Sequence, residues 1–253
     1  MSEPVHTHKR PHKSAPRLSR IGNFRSSAAQ FLVALILFLC TAPFVDELKY
    51  GRGLDTAFAT LVFIAGVLAV GRTHRTLVLA LLLMSPSVVC KWIWHFWPSA
   101  MPPSVPAMTG LLFLVFLEYQ LLHFIFRAPR VNSEVLCAGV SGYLLLGIMW
   151  MSAYMLVSDL TPVNSLQPLL QPGAFAYTVG DTTPHALSQF EAYYFSFITL
   201  STVGYGDITP LSHPARTLAM LEAMTGTLYM AVLISRLVAL YSTEKPETDS
   251  KSL

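Results

Sequence analysis

Charge is scarce in this chain: 12% of its residues are Asp, Glu, Lys or Arg against 53% hydrophobic, and the deficit falls in long uninterrupted runs. That pattern excludes an ordinary soluble domain, whose surface needs interspersed charge. Cysteine is nearly absent as well. Cys40, Cys90 and Cys137 lie far apart in apolar runs, a spacing that favours neither a disulfide framework nor a metal cluster, and they read as buried small hydrophobes. No nucleophile, base and orienting group occur together at a usable spacing, so the chain is not expected to be an enzyme, and no catalytic residue or cofactor is assigned. Nucleic acid is not an expected partner. No internal repeat is visible, and the few residues after the last apolar run leave no room there for a ligand-binding domain.

What the chain has is hydrophobic length. Six runs, 28–45, 54–71, 76–97, 107–126, 135–157 and 218–241, approach or exceed the ~20 helical residues that cross a hydrocarbon core of ~30 Å. The fold class expected is therefore an all-α membrane protein with six transmembrane helices, and the lipid bilayer is its first partner. Lys91 near the end of the third run is expected to snorkel to the interface beside Trp92, Trp94 and Trp97. Basic residues collect in the N-terminal tail (Lys9, Arg10, Lys13, Arg17, Arg20, Arg25), in the turn 72–75, in the link 127–130 and at Lys245 and Lys251. By the positive-inside rule all of these are cytoplasmic, which puts both termini on the cytoplasmic side of the cell membrane. The first run reads as an uncleaved span rather than a signal peptide, because its preceding tail is long and no small-residue cleavage site follows.

Four parts follow along the chain. Residues 1–27 form a basic tail with no apolar periodicity, expected to be disordered; its His6, His8 and His12 suit either a metal or simple solvation, and its charge suits anionic headgroups. Residues 28–127 make a four-helix block. Residues 134–241 are organised differently, and 242–253 form a short cytoplasmic tail. After the fifth run, Pro162, Pro168, Pro172, Gly173, Gly180 and Pro184 mark a surface loop. Ser188-Gln189-Phe190-Glu191 then fits a capping box, opening an aromatic helix of about three turns that is too short to cross and apolar enough to lie within the bilayer, a re-entrant helix.

Directly after that helix stands Thr202-Val203-Gly204-Tyr205-Gly206-Asp207. A pore selective for potassium must replace the ion's water with oxygens at comparable distances, and backbone carbonyls suit this. For successive carbonyls to face one axis, residues must reach left-handed dihedrals, which Gly204 and Gly206 do without steric cost at a spacing of two. On this reading the carbonyls of Thr202, Val203, Gly204 and Tyr205 and the hydroxyl of Thr202 line an ion path, while the side chains of Val203 and Tyr205 point away.

The stretch Thr199-Leu200-Ser201-Thr202-Val203-Gly204-Tyr205-Gly206-Asp207, preceded by an aromatic helix, resembles the signature of the potassium channel superfamily. The resemblance covers residues 135–241 and implies a pore module of outer helix, turret loop, pore helix, filter and inner helix, of the bacterial two-transmembrane type. It implies potassium as the permeant ion, with Thr202, Val203, Gly204, Tyr205 and Gly206 as the selectivity filter and Asp207, Tyr194 and Thr199 in support. Four filters surround one axis in that family, so this chain with one filter is expected to act as a homotetramer. Counting back from Thr202, the family's aromatic donor to the filter Asp falls on Tyr194, but its acidic partner falls on Ile198, which cannot serve. Gly226 matches the position where the family's inner helices bend; close packing is the alternative.

Other residues leave roles open. Glu222 in the last run is expected to face water or a partner, either behind the filter or on the cavity, and Arg236 reads as an interface anchor. Glu118 and His123 in the fourth run suit a sensing pair or an internal contact. That run carries none of the repeated Arg or Lys that a voltage sensor needs, so steep voltage gating is not expected. The function expected is passive potassium conduction. The alternative is a non-conducting or hetero-assembling subunit in which the four-helix block senses a signal, and a transporter of fused pore repeats is disfavoured by the single intact filter.

Overall fold

The computed structural model describes residues 27–46, 51–71, 73–129, 132–161, 173–178 and 185–243. The basic tail with His6, His8 and His12, most of the Pro-rich loop and the last ten residues fall outside the described residues. Among the described residues there are seven α-helices: α1 (Ser27–Asp46), α2 (Gly51–Val70), α3 (His74–Phe96), α4 (Ser104–Arg127), α5 (Ser133–Leu160), α6 (Gln189–Leu200) and α7 (His213–Thr243). Five of them, α2, α3, α4, α5 and α7, are long and apolar enough to cross a membrane. The apolar stretch described within α1, Ala28–Thr41, is shorter.

Caps set several of these boundaries. Thr73 and Thr76 bond reciprocally across the start of α3, and the Asn132 side chain accepts from Val135 N at the start of α5. One departure from an all-helical fold is a two-stranded antiparallel sheet, β1 (Phe175–Tyr177) with β2 (Ile208–Pro210), in register Phe175 to Pro210. Three-residue strands are too short for an alternating pattern to be legible, and β1 lies in the stretch whose prolines and glycines argue for a loop alone.

Two apolar clusters hold the bundle. The larger joins α1, α2, α4 and α5 through Phe31, Leu35, Phe63, Phe113, Leu117 and Leu145, with Phe63 and Phe113 edge-to-face at 4.9 Å. The second packs around α6: Tyr154 of α5, Phe175 of β1 and Phe195 of α6 meet edge-on with centroids 4.9 to 5.9 Å apart. Gly147 of α5 makes room for this, since a Cβ there would collide with the Phe197 ring. α4 packs most extensively against α5, to which it is joined by the short link 128–132.

Three expectations change. The cysteines are not core residues: Cys40 is exposed and Cys90 and Cys137 are partly so, because each sits on an outward helix face. Lys91 does not simply snorkel; its Nζ lies 3.0 Å from Asp55 Oδ2 on α2. Glu118 and His123 do not form a pair. Five residues apart, they are about 140° apart around the helix, so Glu118 is buried while His123 stacks on Tyr119 at 5.9 Å.

Candidate functional site

The site is built outward from α6. Its first turn is closed by the capping box legible in the sequence: Ser188 Oγ accepts from Glu191 N at 3.2 Å and Ser188 N donates to Glu191 Oε2 at 2.7 Å. The other carboxylate oxygen of Glu191 lies 2.9 Å from His185 Nε2, and the His185 ring stacks on Tyr177 of β1 at 4.0 Å. Burial, and then the nearby Glu191 charge, push the Tyr177 phenol up. Gln189, the first residue of α6, donates through Nε2 to Asp55 Oδ1, so the ion pair of Asp55 with Lys91 also grips the start of this helix.

At the other end of α6 the chain turns back on the helix. Thr202 N donates to Thr199 O at 3.0 Å, and Val203 N and Gly204 N both donate to Ile198 O, at 2.9 and 3.1 Å. Positive φ then recurs at every second residue: Thr202 at 60°, Gly204 at 55° and Gly206 at 80°. Glycine permits this at two of the positions, but Thr202 has to be held there. Left-handed residues alternating with ordinary ones turn successive peptide groups toward the same side instead of opposite sides. The whole stretch from Ser201 to Gly206 is exposed on the single chain, with Tyr205 at 72%.

Asp207 fastens the far end of this stretch. Tyr194 Oη donates to Asp207 Oδ2 at 2.7 Å, and Ile208 N donates to Asp207 Oδ1 at 3.1 Å. The hydrogen bond to Asp207, ahead of burial, pushes the Tyr194 phenol up to about 12. The Tyr194 and Tyr205 rings lie parallel with centroids 6.5 Å apart. Thr178, just past β1, donates from N to Asp207 O at 2.9 Å, so the small sheet ties the preceding loop to the exit of the Thr202–Gly206 stretch. Thr199 enters through its backbone carbonyl. Ile198 stands where the resemblance implies an acid, and among the described residues no further acidic side chain is bonded to Tyr194 or Asp207 in its place.

Behind α6 lies a polar cluster that the sequence shows only as a lone Glu222. Expected behind the filter or on the cavity, Glu222 is fully buried against α6 and α5. Tyr154 Oη of α5 donates to Glu222 Oε2 at 2.5 Å, and Ser196 Oγ of α6 lies 2.5 Å from Glu222 Oε1 and 2.8 Å from Gly147 O. Three helices meet at this carboxyl. Four residues on, a Cβ on Gly226 would collide with the Leu200 carbonyl oxygen, and α7 runs through this point as one helix.

The same face of α7 continues at intervals of seven residues. Tyr229 Oη donates to Gly139 O of α5 at 2.7 Å, and Arg236 Nη2 donates to Phe126 O and Ala128 O at the end of α4, both at 3.0 Å. Arg236 is thus a tie between helices, not merely an anchor at an interface. The spacing 222, 229, 236 is the signal that reveals this seam, since seven residues are nearly two helical turns. Among the described residues no three His, Cys, Asp or Glu side chains gather as metal ligands.

A family model described as "Ion channel" matches residues 167–243, which run from before β1 through α6, the Thr202–Gly206 stretch and α7. The chain is similar to "Two-pore potassium channel 4" of Arabidopsis thaliana, 41% identical over 49 residues, 19% of this chain and 17% of the relative. It is also similar to "Two pore potassium channel c" of Oryza sativa subsp. japonica, 37% identical over 68 residues, 27% of this chain and 14% of the relative. The matches thus span less than a fifth of either plant protein. Residues 167–243 thus match a family of ion channels, and part of the chain is similar to plant potassium channels.

Proposed function

We propose that this protein is a potassium-selective channel subunit that conducts passively, with Thr202, Val203, Gly204, Tyr205 and Gly206 as its selectivity filter. The observation that carries the reading is the alternation of left-handed residues at 202, 204 and 206, on a stretch whose amides are tied back to Ile198 O. Such a backbone offers a column of carbonyl oxygens on one side, the replacement for a hydration shell that selective conduction needs. α6 serves as the re-entrant pore helix and directs the negative end of its dipole toward the ion path. Tyr194, Asp207 and Thr199 steady the column. Gly226 serves as the seat of the pore helix on α7 in place of a bend.

One chain supplies one edge of the path, so four copies surround the axis, and the exposed surface of 201–206 is where they meet. Residues 134–241 are the pore domain and 28–127 a four-helix block beside it. With α1 as a sixth crossing, both termini face the cytoplasm across the cell membrane. Potassium is the cargo.

The test is rubidium and sodium uptake into vesicles holding the purified protein, for the wild type beside Gly204→Ala. Selective uptake by the wild type and none by the variant is expected. Equal passage of sodium and rubidium refutes the reading. Silence of the wild type alone, relieved by a second channel protein, favours a hetero-assembling subunit.

A further inference from the structure

Glu118 stands in the middle of α4, 5% exposed, and neither of its carboxylate oxygens has a hydrogen-bond partner among the described residues. It borders Gly142 of α5. A Cβ built there would lie 3.4 Å from Glu118 Oε1 and 3.3 Å from Tyr229 Cζ, so the missing side chain opens the space that the α4 carboxyl and the α7 phenol share. Tyr229 gives its one proton to Gly139 O, which leaves its oxygen able to accept but not to donate.

Among the described residues no cation reaches this point. α2 has no ionisable side chain between Asp55 and Arg72, and α3 has none between Arg75 and Cys90. From α5 the nearest are Cys137 and Tyr143, the latter ring against ring with Tyr229 at 6.0 Å. Ser141 Oγ, also unpartnered, is one residue from Gly142 and so about 100° round α5. From α7 come Tyr229 itself, Glu222 engaged with Tyr154 and Ser196, and Arg236. Arg236 is held at Phe126 O, eight residues or about 12 Å along α4 from Glu118. On α4 itself His123 points away against Tyr119.

An ionised carboxylate in apolar surroundings with no donor and no counter-ion is heavily penalised. A neutral carboxylic acid is not, and its O–H is a donor within the space it shares with the Tyr229 oxygen. We propose that Glu118 is a proton-binding site at the junction of α4, α5 and α7, occupied when the helices are packed as described, and that losing the proton drives α4 away from the other two. Because α7 bears both Tyr229 and the seat of the pore helix, occupancy of this site regulates conduction. That last step rests on the channel reading; the proton site does not.

The experiment uses the whole protein in phosphatidylcholine vesicles, wild type beside Glu118→Gln, which keeps the shape and cannot ionise. At about pH 7, where a free glutamic acid is ionised, infrared spectra of the wild type are expected to show the carbonyl band of a protonated carboxylic acid, diminished in the variant. An unchanged band in the variant, or no such band in the wild type, overturns the site. Wild-type rubidium uptake is expected to change on alkalinisation with a slope of up to about tenfold per pH unit, the limit for one proton, and the variant to stay flat. A flat wild type, or a variant as steep as the wild type, overturns the regulation. If neither protein conducts, the channel reading fails while the infrared comparison still decides the site. Should Glu118→Gln not assemble, Glu118→Met takes its place in both comparisons.

Discussion

Replacing Gly226 with alanine sets two effects of opposite sign against each other. Alanine is better than glycine inside a helix by about 1 kcal/mol, so an open or bending position would gain stability. The structure puts the new methyl 2.9 Å from Leu200 Cδ1 and 3.2 Å from the Leu200 carbonyl carbon, and closer still to the oxygen. Side chains can turn aside, but this carbonyl is backbone of the last residue of α6, the helix from which the 202–206 stretch hangs. Overpacking against such a neighbour costs about 1–3 kcal/mol, and contact with backbone argues for the upper end. The net expectation is a loss of about 1–2 kcal/mol once the propensity gain is subtracted. Thermal unfolding of the purified protein in detergent reads the sign, and rubidium uptake reads the filter. A variant that melts at the same or a higher temperature, with uptake unchanged, would show that Gly226 does not seat the pore helix, and the argument from packing would fail.

Two further outcomes follow from the same geometry. Glu222→Ala strips Tyr154 Oη of its acceptor and empties a fully buried site; a stability loss of roughly 3–5 kcal/mol is expected from an orphaned buried hydroxyl plus a cavity. Glu222→Gln, which keeps the volume and an acceptor, should lose far less, and equal losses in chemical denaturation would contradict the three-helix role of the carboxyl. Gating-current recordings are expected to find less than about one charge moved per chain, because α4 has no Arg or Lys before Arg127 and each charge would harvest about 2.3 kcal/mol per 100 mV; several charges per chain would refute this.

Local chemistry was legible in the sequence wherever the partners are neighbours along it. The Ser188 and Glu191 cap needs only three residues, and the left-handed positions at Gly204 and Gly206 need only glycine. Thr202 is different: nothing in a threonine announces positive φ, which is imposed by its amide on Thr199 O and the following amides on Ile198 O. Contacts between distant segments were not legible. Lys91 meets an acid 36 residues earlier, and Glu222 meets Tyr154 and Ser196 on two other helices, so each looked like an isolated polar residue in an apolar run. The helix count was also less definite in the structure than in the hydropathy pattern, since the described apolar stretch of α1 is short.

The brevity of the link between α4 and α5 has a consequence for biogenesis. With so few residues to span, α4 lies along the α5 of its own polypeptide, and α1 also touches that helix. Each newly made chain can therefore complete these contacts in the lipid by itself. In the proposed tetramer, assembly would start from such finished units, with α4 and α5 of one chain kept together.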